Sequence, residues 1–200
     1  MAEFSTDNLS LYSGAGERKY INRAERQRVL KVMEKMKRER ALFSLLLAWT
    51  GARVSEVLAV TPSSFQIERN IVALRTLKRR RHHVREVPVM PGLMMALDHH
   101  FNLRELQRDP EAAHRRLWSC SRVTAWRFVK AAMMEAGVVG RPACPRGLRH
   151  GFGVATLQAS VPINLVQRWM GHARMSTTAI YTSVSGAEEA AFAEKFWTPD

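Results

Sequence analysis

Arginine, histidine and tyrosine residues are concentrated in two short segments in the C-terminal half of the chain. The segment PRGLRHGFG, residues 145–153, places Arg146, Arg149 and His150 within five positions. The segment MGHARMSTTAIYT then places His172 nine positions before Tyr181. A guanidinium is a permanently charged, bidentate ligand for phosphate, so these residue types suit chemistry on a phosphate group. A solvated surface or a helix cap is the alternative that these two segments alone leave open.

The composition indicates a packed, basic protein. Hydrophobic residues make up 46% of the 200 residues, which is ordinary for a globular core and excludes a disordered chain. The 31 Lys and Arg residues outnumber 18 Asp and Glu residues, giving a net charge of +13. A surplus of this size predicts an anionic partner, more commonly DNA or RNA than a membrane surface. We therefore expect no membrane partner, and a cytoplasmic, nucleoid-associated location.

Neither metal ligation nor disulfide formation is indicated by the two cysteines. Cys120 and Cys144 stand alone, without the CxxC or histidine spacing of a zinc site. We interpret both as ordinary thiols and expect no metal ion and no cofactor.

The hydrophobic periodicity predicts an α+β fold that is mainly α. Helical spacing occurs in residues 21–51 and again from residue 91 onward, whereas residues 64–90 alternate apolar and polar side chains. This alternating part predicts a small three-stranded antiparallel sheet, with the residues ERN forming one turn. Residues 1–20 are expected to form an extended or poorly ordered arm.

Basic residues cluster in the segment that joins the second and third predicted strands. Positions 75–85 hold no acidic residue, which favours contact with a DNA backbone over a solvated loop or a localisation signal. A second basic cluster surrounds the helix predicted to start at Ser121, which we expect to lie in a DNA groove, with Trp126 in the core. The predicted DNA-binding residues are Arg75, Arg79, Arg80, Arg81, Arg85, Arg122 and Arg127.

Five motifs occur along the chain in an order that resembles the tyrosine recombinase, or phage integrase, family. They read TGARVSEV, RTLKRRRHHVREVPV, RGLRH, MGH and TTAIYT, within roughly residues 20–185. In that family the corresponding motifs carry an arginine, a lysine on a β hairpin, a second arginine, a histidine and a tyrosine. The resemblance implies the tyrosine recombinase catalytic-domain fold.

The resemblance also implies a role for each matched residue. Arg53 and Arg149 would clamp the scissile phosphate, His172 would hydrogen-bond to it, and Tyr181 would attack phosphorus to give a 3′-phosphotyrosyl intermediate. Such a step places negative charge on the nonbridging oxygens, which positioned cations stabilise. It needs no paired carboxylates of the kind that bind two metal ions. The expected catalytic residues are Arg53, Lys78, Arg146, Arg149, His172 and Tyr181.

Two of these assignments differ from the family pattern. Arg146 stands where the family most often has histidine or sometimes lysine, and an arginine cannot accept a proton from Tyr181. The general base is therefore open. The hairpin lysine is assigned to Lys78 as the general acid, although counting back from Val87 in a hairpin of standard length would give Arg80.

Three smaller expectations concern the surroundings of the site. A helix cap by Arg53, or a structural ion pair between Arg53 and Glu56, is the alternative to the catalytic role of Arg53, which the motif context favours. Ser176, Thr177 and Thr178 are expected to cap the helix that presents Tyr181 beside His172. His150 is interpreted either as a hydrogen-bonding neighbour of the site or as a packing residue.

These observations predict a site-specific recombinase or integrase that cleaves and rejoins DNA. A noncatalytic DNA-binding accessory protein and a nicking-closing enzyme similar to type IB topoisomerases are the alternatives. The predicted organisation is an arm (1–20), a catalytic domain (21–185) and a helical tail (186–200) that docks either on a neighbouring protomer or on its own domain. Twenty residues are too few for the family's core-binding domain, so a minimal recombinase, an accessory protein and a fragment remain open. The expected partners are double-stranded DNA and further copies of the chain, a tetramer on paired sites.

Overall fold

The fold begins with two packed helices. The computed structural model describes residues 10–76, 83–183 and 197, and places α1 at Arg23–Lys35 and α2 at Arg38–Thr50. Asn22 and Glu25 start α1 with a capping box in which each side chain accepts a 2.8 Å hydrogen bond from the other residue's backbone N–H. Gly51 ends α2 in the left-handed conformation, with φ 60°, and a Cβ at this position would overlap the ring of Phe152.

Three strands form the antiparallel sheet that the alternating pattern predicted. They are β1 (Phe65–Gln66), β2 (Ile71–Thr76) and β3 (His83–Pro88), in the order β1-β2-β3. The predicted turn between β1 and β2 is a short 3-10 helix that ends at Asn70, whose φ of 52° is left-handed. The register places Leu74 opposite Arg85.

Helices make up most of the remaining described chain. Ser121 begins the helix Arg122–Glu135, named α6, by accepting a 3.1 Å hydrogen bond from the backbone N–H of Thr124, as the sequence predicted. These helices are α3 (Val54–Val57), α4 (Pro91–Phe101), α5 (Leu103–Leu106), α6 (Arg122–Glu135), α7 (Pro145–Gln158), α8 (Ile163–Met170) and α9 (Ser176–Ala179), followed by a 3-10 turn at Ile180–Ser183. The mainly helical α+β class is thus confirmed.

The buried apolar residues form two clusters. The larger cluster joins α1, α2, α6 and the sheet, with Phe43, Leu74 and Met133 among its fully buried members. The smaller cluster lies between α7, α8 and the 3-10 turn, and it includes Phe152 and Tyr181. The candidate nucleophile is therefore part of a packed apolar cluster rather than a side chain on the surface.

Two features of the packing differ from the sequence-based expectations. The described part of the arm, from residue 10 to 20, packs against the domain: Leu11 is fully buried in the smaller cluster, and Tyr12 forms a backbone bridge with Arg18. Trp126 is 41% exposed rather than in the core. The buried stripe of α6 consists of Ala125, Val129, Ala132 and Met133, and Trp126 lies beside this stripe on the solvent side.

The predicted tail helix at 186–200 lies almost wholly outside the described residues. Within the described ranges, no helix is long and apolar enough to cross a membrane. The same ranges contain no cluster of three or more His, Cys, Asp or Glu side chains with the arrangement of a metal site.

Candidate active site

The structure brings together five of the residues that the motifs identified. Arg149 and Arg146 project from α7, Arg53 occupies the position just before α3, His172 follows α8, and Tyr181 lies in the last 3-10 turn. A continuous series of hydrogen bonds and ring contacts connects these elements. The motifs therefore converge on one site although they are spread over more than half of the sequence.

Glu56 holds the first arginine in place. Its carboxylate accepts one hydrogen bond from the Arg53 backbone N–H and a second from Arg53 Nη1, both 2.8 Å long. Glu56 is 1% exposed, whereas the Arg53 side chain keeps 29% of its surface exposed. The structural ion pair is present, and it orients a guanidinium that still reaches solvent.

The same carboxylate binds a second arginine, Arg85 on β3. Arg85 Nη2 lies 2.7 Å from Glu56 Oε2, and neither side chain is exposed by more than 1%. Burial by itself would raise the pKa of Glu56, but hydrogen bonds and charges from Arg85 and Arg53 hold this pKa below its usual value. Glu56 is therefore an ionised carboxylate shared between two guanidinium groups.

The prediction that Arg85 binds DNA is wrong. Besides Glu56, its guanidinium donates to Thr76 Oγ1 at 3.0 Å and to the backbone carbonyl of Trp169 at 2.7 Å. These bonds join β3 to the C-terminal end of α8. The side chain points into the protein because the register puts Arg85 on the buried face of the sheet, opposite Leu74.

Arg149 lies between the C-terminal ends of two helices. It donates to the backbone carbonyl of Gly51, at the end of α2, and to that of Met170, the last residue of α8, at 2.6 Å. Helix C-terminal ends favour a cation, which offsets part of the cost of burying this charge. Burial lowers the pKa of Arg149 to about 9, and the charge of Arg53 acts in the same direction. The guanidinium is still protonated at neutral pH.

His172 is held beside the candidate nucleophile. Its Nδ1 lies 3.0 Å from Thr178 Oγ1, and its ring stacks on the Tyr181 ring with 6.2 Å between centroids and 18° between planes. Burial, together with the charge of Arg149, lowers the pKa of His172 to about 3. The imidazole is therefore neutral at physiological pH, as a hydrogen-bond donor to phosphate can be.

The expected serine-threonine cap of α9 is wrong. Met175 precedes the helix, and no side chain caps it. Thr178 instead points inward, fully buried, to His172. The threonine hydroxyl orients the histidine rather than satisfying the helix end.

Tyr181 is only 3% exposed. Its hydroxyl lies 3.1 Å from His150 Nδ1, and its ring packs over Gly153, where a Cβ would lie 2.6 Å from the ring. Burial raises the pKa of Tyr181 to about 12, although the charges of Arg149, Arg146 and Arg53 oppose this shift. Of the two roles left open for His150, the structure shows the hydrogen-bonding one.

The remaining predicted DNA-binding residues divide into two groups. Arg75 on β2 and Arg122 and Arg127 on α6 are exposed, as contact with a nucleic acid requires. Lys78, Arg79, Arg80 and Arg81 lie outside the described residues.

Comparison with known proteins identifies the family. The sequence profile of the phage integrase family matches residues 19–188. The chain belongs to the phage integrase family. It is 30% identical over 170 residues to the tyrosine recombinase XerA of Thermococcus onnurineus, and 31% identical over 156 residues to the tyrosine recombinase XerC of Roseiflexus castenholzii.

These integrase-family relatives are longer than the chain. The XerA match covers 84% of the chain and 58% of XerA, and the XerC match covers 74% and 48%. The fold agrees with a crystal structure of XerA recombinase, with a TM-score of 0.71 and 22% identity over 90% of the chain and 66% of that protein. A structure of the XerH recombinase bound to a difH substrate also gives a TM-score of 0.71, at 21% identity, over 90% and 53%.

Two residues of the site were not assigned correctly from the sequence. Arg85 was predicted to bind DNA, and the role of His150 was left open. The alternating pattern of β3 could have identified Arg85 as buried. Arg85 lies two residues before Val87, a core residue, so both side chains point to the same face of the strand. The four-residue spacing of Arg146 and His150 on α7 likewise placed their side chains on one helix face.

Replacing Glu56 with glutamine should destabilise the protein by about 3 kcal/mol, because the substitution leaves the buried Arg85 charge uncompensated. Urea unfolding monitored by circular dichroism measures the loss. Glu111→Gln is the matched control, since its ion pair with Arg115 is largely exposed and its removal should change little. Equal, small losses in both variants would contradict the structural role of Glu56.

The two neutral histidines should make stability depend on pH. Their folded pKa values, about 4 for His150 and about 3 for His172, lie below the ordinary 6.5. Protonation of the unfolded chain therefore removes stability as pH falls below about 6.5, by roughly 2 kcal/mol for each ring at about pH 5.

Urea unfolding at several pH values tests this expectation. Between about pH 7 and about pH 8 these rings should contribute almost no change. His172→Asn should lose less stability than the parent protein on going from about pH 7 to about pH 5. A steeper loss in the variant would show that this histidine is not held neutral.

Proposed function

We propose that the chain is the catalytic part of a site-specific DNA recombinase, which cleaves and rejoins DNA through Tyr181. The observation that carries this proposal is the His172 ring stacked on the Tyr181 ring, with the charges of Arg149 and Arg53 close enough to act on Tyr181, in a member of the phage integrase family. Phosphate ligands and a nucleophile in one site are what phosphoryl transfer to a side chain requires.

The proposed reaction conserves the phosphodiester bond energy. Tyr181 Oη forms a bond to phosphorus while the bond from phosphorus to the 5′ oxygen breaks, giving a 3′-phosphotyrosyl linkage. The 5′ oxygen takes a proton and leaves as a hydroxyl, and the phenolic proton leaves Tyr181. Attack by another 5′-hydroxyl reverses the step and joins a new pair of ends, so no external energy source is needed.

The arginines have separate parts in this reaction. Arg53, fixed by Glu56 and partly exposed, contacts the nonbridging oxygens from the solvent side. Arg149 is held by two carbonyl groups at helix ends, so its charge is positioned before DNA arrives. Such prepositioned charge stabilises the transition state without a cost of reorganisation during the step.

The burial of Tyr181 favours one further candidate function. A side chain that is 3% exposed must move to reach a phosphate, and a protein in which it never moves would bind DNA without cleaving it. This noncatalytic accessory role is the second candidate. An enzyme that nicks and closes DNA without exchanging strands would share the Tyr181 chemistry and differ only in the absence of recombinant products.

Double-stranded DNA is the proposed substrate. Arg75, Arg122 and Arg127 are exposed and would contact the DNA phosphates together with Arg79, Arg80 and Arg81. The +13 charge favours this partner. We further propose that copies of the chain assemble on paired sites as a tetramer, with the 186–200 tail docking on a neighbour, in the nucleoid.

Lys78 is the proposed general acid, with Arg80 as the alternative. Both lie in the segment between β2 and β3, outside the described residues. The bases of these strands are anchored at the site, because Arg85 joins β3 to Glu56 and to α8. An ammonium group can release a proton to the departing 5′ oxygen, whereas a guanidinium cannot at accessible pH.

Replacing Tyr181 with phenylalanine should abolish covalent protein-DNA adducts while leaving DNA affinity nearly unchanged, because the substitution removes only the attacking oxygen. A nicked suicide substrate bearing the native site, analysed by denaturing electrophoresis, measures the adduct. Tyr12→Phe is the matched control and should form adducts normally, since Tyr12 is 41% exposed and its hydroxyl lies 3.4 Å from that of Tyr20, away from the site.

The outcomes separate the candidate functions. Adducts from Tyr181→Phe would show that another residue is the nucleophile. Absence of adducts from the unsubstituted chain, with tight DNA binding, would favour the accessory role. Adducts without recombination between two sites would favour the nicking-closing enzyme.

A bridging sulfur substrate should distinguish Lys78 from Arg80. Lys78→Ala should block cleavage of ordinary DNA and be rescued when the 5′ oxygen is replaced by sulfur, a leaving group that needs no proton. Arg80→Ala should instead bind DNA more weakly and with a changed salt dependence that sulfur does not correct. Rescue of Arg80→Ala alone would reverse the assignment.

A further inference from the structure

His150 and Arg146 form a relay of hydrogen bonds that ends on the hydroxyl of Tyr181. Arg146 Nε lies 3.3 Å from His150 Nε2, and His150 Nδ1 lies 3.1 Å from Tyr181 Oη. Arg146 and His150 are four residues apart on α7, so the helix itself stacks one side chain above the other. The His150 ring is tilted by 56° against the Tyr181 ring, with 5.8 Å between centroids.

The protonation state of each nitrogen follows from the chemistry of arginine. A guanidinium only donates hydrogen bonds, so His150 Nε2 must accept from Arg146 and cannot carry a proton. A neutral imidazole with a bare Nε2 carries its proton on Nδ1. His150 therefore donates from Nδ1, and Tyr181 Oη is the acceptor of this bond.

Burial and the neighbouring charges keep His150 neutral. Burial, together with the charges of Arg146, Arg149 and Lys19, lowers its pKa to about 4. The other titratable groups beside this ring are His172 and Tyr181. A second proton on His150 would have to point at Arg146, which already presents an N–H.

We infer that Arg146 fixes the tautomer of His150 so that His150 donates a hydrogen bond to the Tyr181 oxygen and stabilises its phenolate, rather than removing its proton. The inference deepens the proposed function and rests on it for the role of Tyr181. His150 touches the reacting oxygen, and Arg146 is a positioning residue that acts through His150. The phenolic proton leaves on the other side of the oxygen, to water or to a phosphate oxygen of the bound DNA.

This arrangement explains why arginine at position 146 is compatible with the chemistry. A residue that cannot accept a proton is useless as a general base, but as a permanent donor it selects one tautomer of its neighbour at every accessible pH. The donated bond also offsets the unfavourable burial of a phenolate, which otherwise raises the pKa of Tyr181 to about 12.

Nuclear magnetic resonance of the full chain, labelled with ¹⁵N only at histidine, tests the tautomer without reference to activity. The chain has 7 histidines, and the resonances of His150 are those missing from His150→Asn. We expect a protonated Nδ1 and an unprotonated Nε2 near pH 7, and a shift toward the Nε2-protonated form in Arg146→Met. A proton on Nε2 in the unsubstituted chain would overturn the inference, whether or not the protein cleaves DNA.

Adduct formation on a nicked suicide substrate tests the consequence. Asparagine places an amide N–H close to the position of the imidazole Nδ1 but has no basic group, so it preserves a donor and removes any base. We expect His150→Asn to form adducts roughly tenfold or more faster than His150→Ala, because a hydrogen bond to a charged oxygen is lost only in the latter. Equal rates for the two variants would exclude the donor role.

The two experiments distinguish a failure of the proposed function from a failure of the inference about His150. If the unsubstituted chain forms no adduct, the proposed function fails, and the nitrogen resonances still decide whether Arg146 fixes the tautomer. If adducts form but His150 is protonated on Nε2, the recombinase assignment stands and the inference fails.

Discussion

The shared carboxylate of Glu56 is the interaction on which the site depends. It is buried and bonded to Arg53 on one side and Arg85 on the other, so one charge joins the loop before α3, the sheet and, through Arg85, the end of α8. Removing a carboxylate from water is costly unless its lone pairs are satisfied, and here two guanidinium groups satisfy them. These bonds compensate the cost of burying the Glu56 charge, and they also fix the position and orientation of Arg53.

A second consequence of this network is a buried site with an excess of positive charge. Arg149 is charged between two helix ends, while His150 and His172 remain neutral because burial and neighbouring guanidinium groups oppose a further proton. The division into permanent cations and neutral imidazoles suits a dianionic transition state, since charge comes from arginine and hydrogen bonds come from histidine. Binding of a DNA phosphate would reduce the repulsion between Arg149 and Arg53.

The packing of Tyr181 couples chemistry to the smaller hydrophobic cluster. Its ring lies over Gly153 and beside the rings of His150 and His172, so the oxygen that would attack phosphorus is positioned by apolar contacts as much as by hydrogen bonds. Residues 10–20, which contribute Leu11 and Tyr20 to that cluster, are therefore part of the support of the site. Movement of Tyr181 toward a DNA phosphate would require this cluster to loosen locally.

The sequence by itself determined the family, the mainly helical α+β class and the residues that converge on the site, because these depend on motif order and on the periods of the helix and the strand. The site's convergence could be anticipated for Arg53, Arg149, His172 and Tyr181, each of which lies within a motif. Only the tertiary structure determined which other residues contact and position these four. Arg85 is a buried ligand of Glu56 and not a DNA contact, Thr178 binds His172 instead of capping a helix, and Trp126 is exposed. Each of these depends on which element packs against the residue from a distant part of the chain, and local sequence does not encode that neighbour.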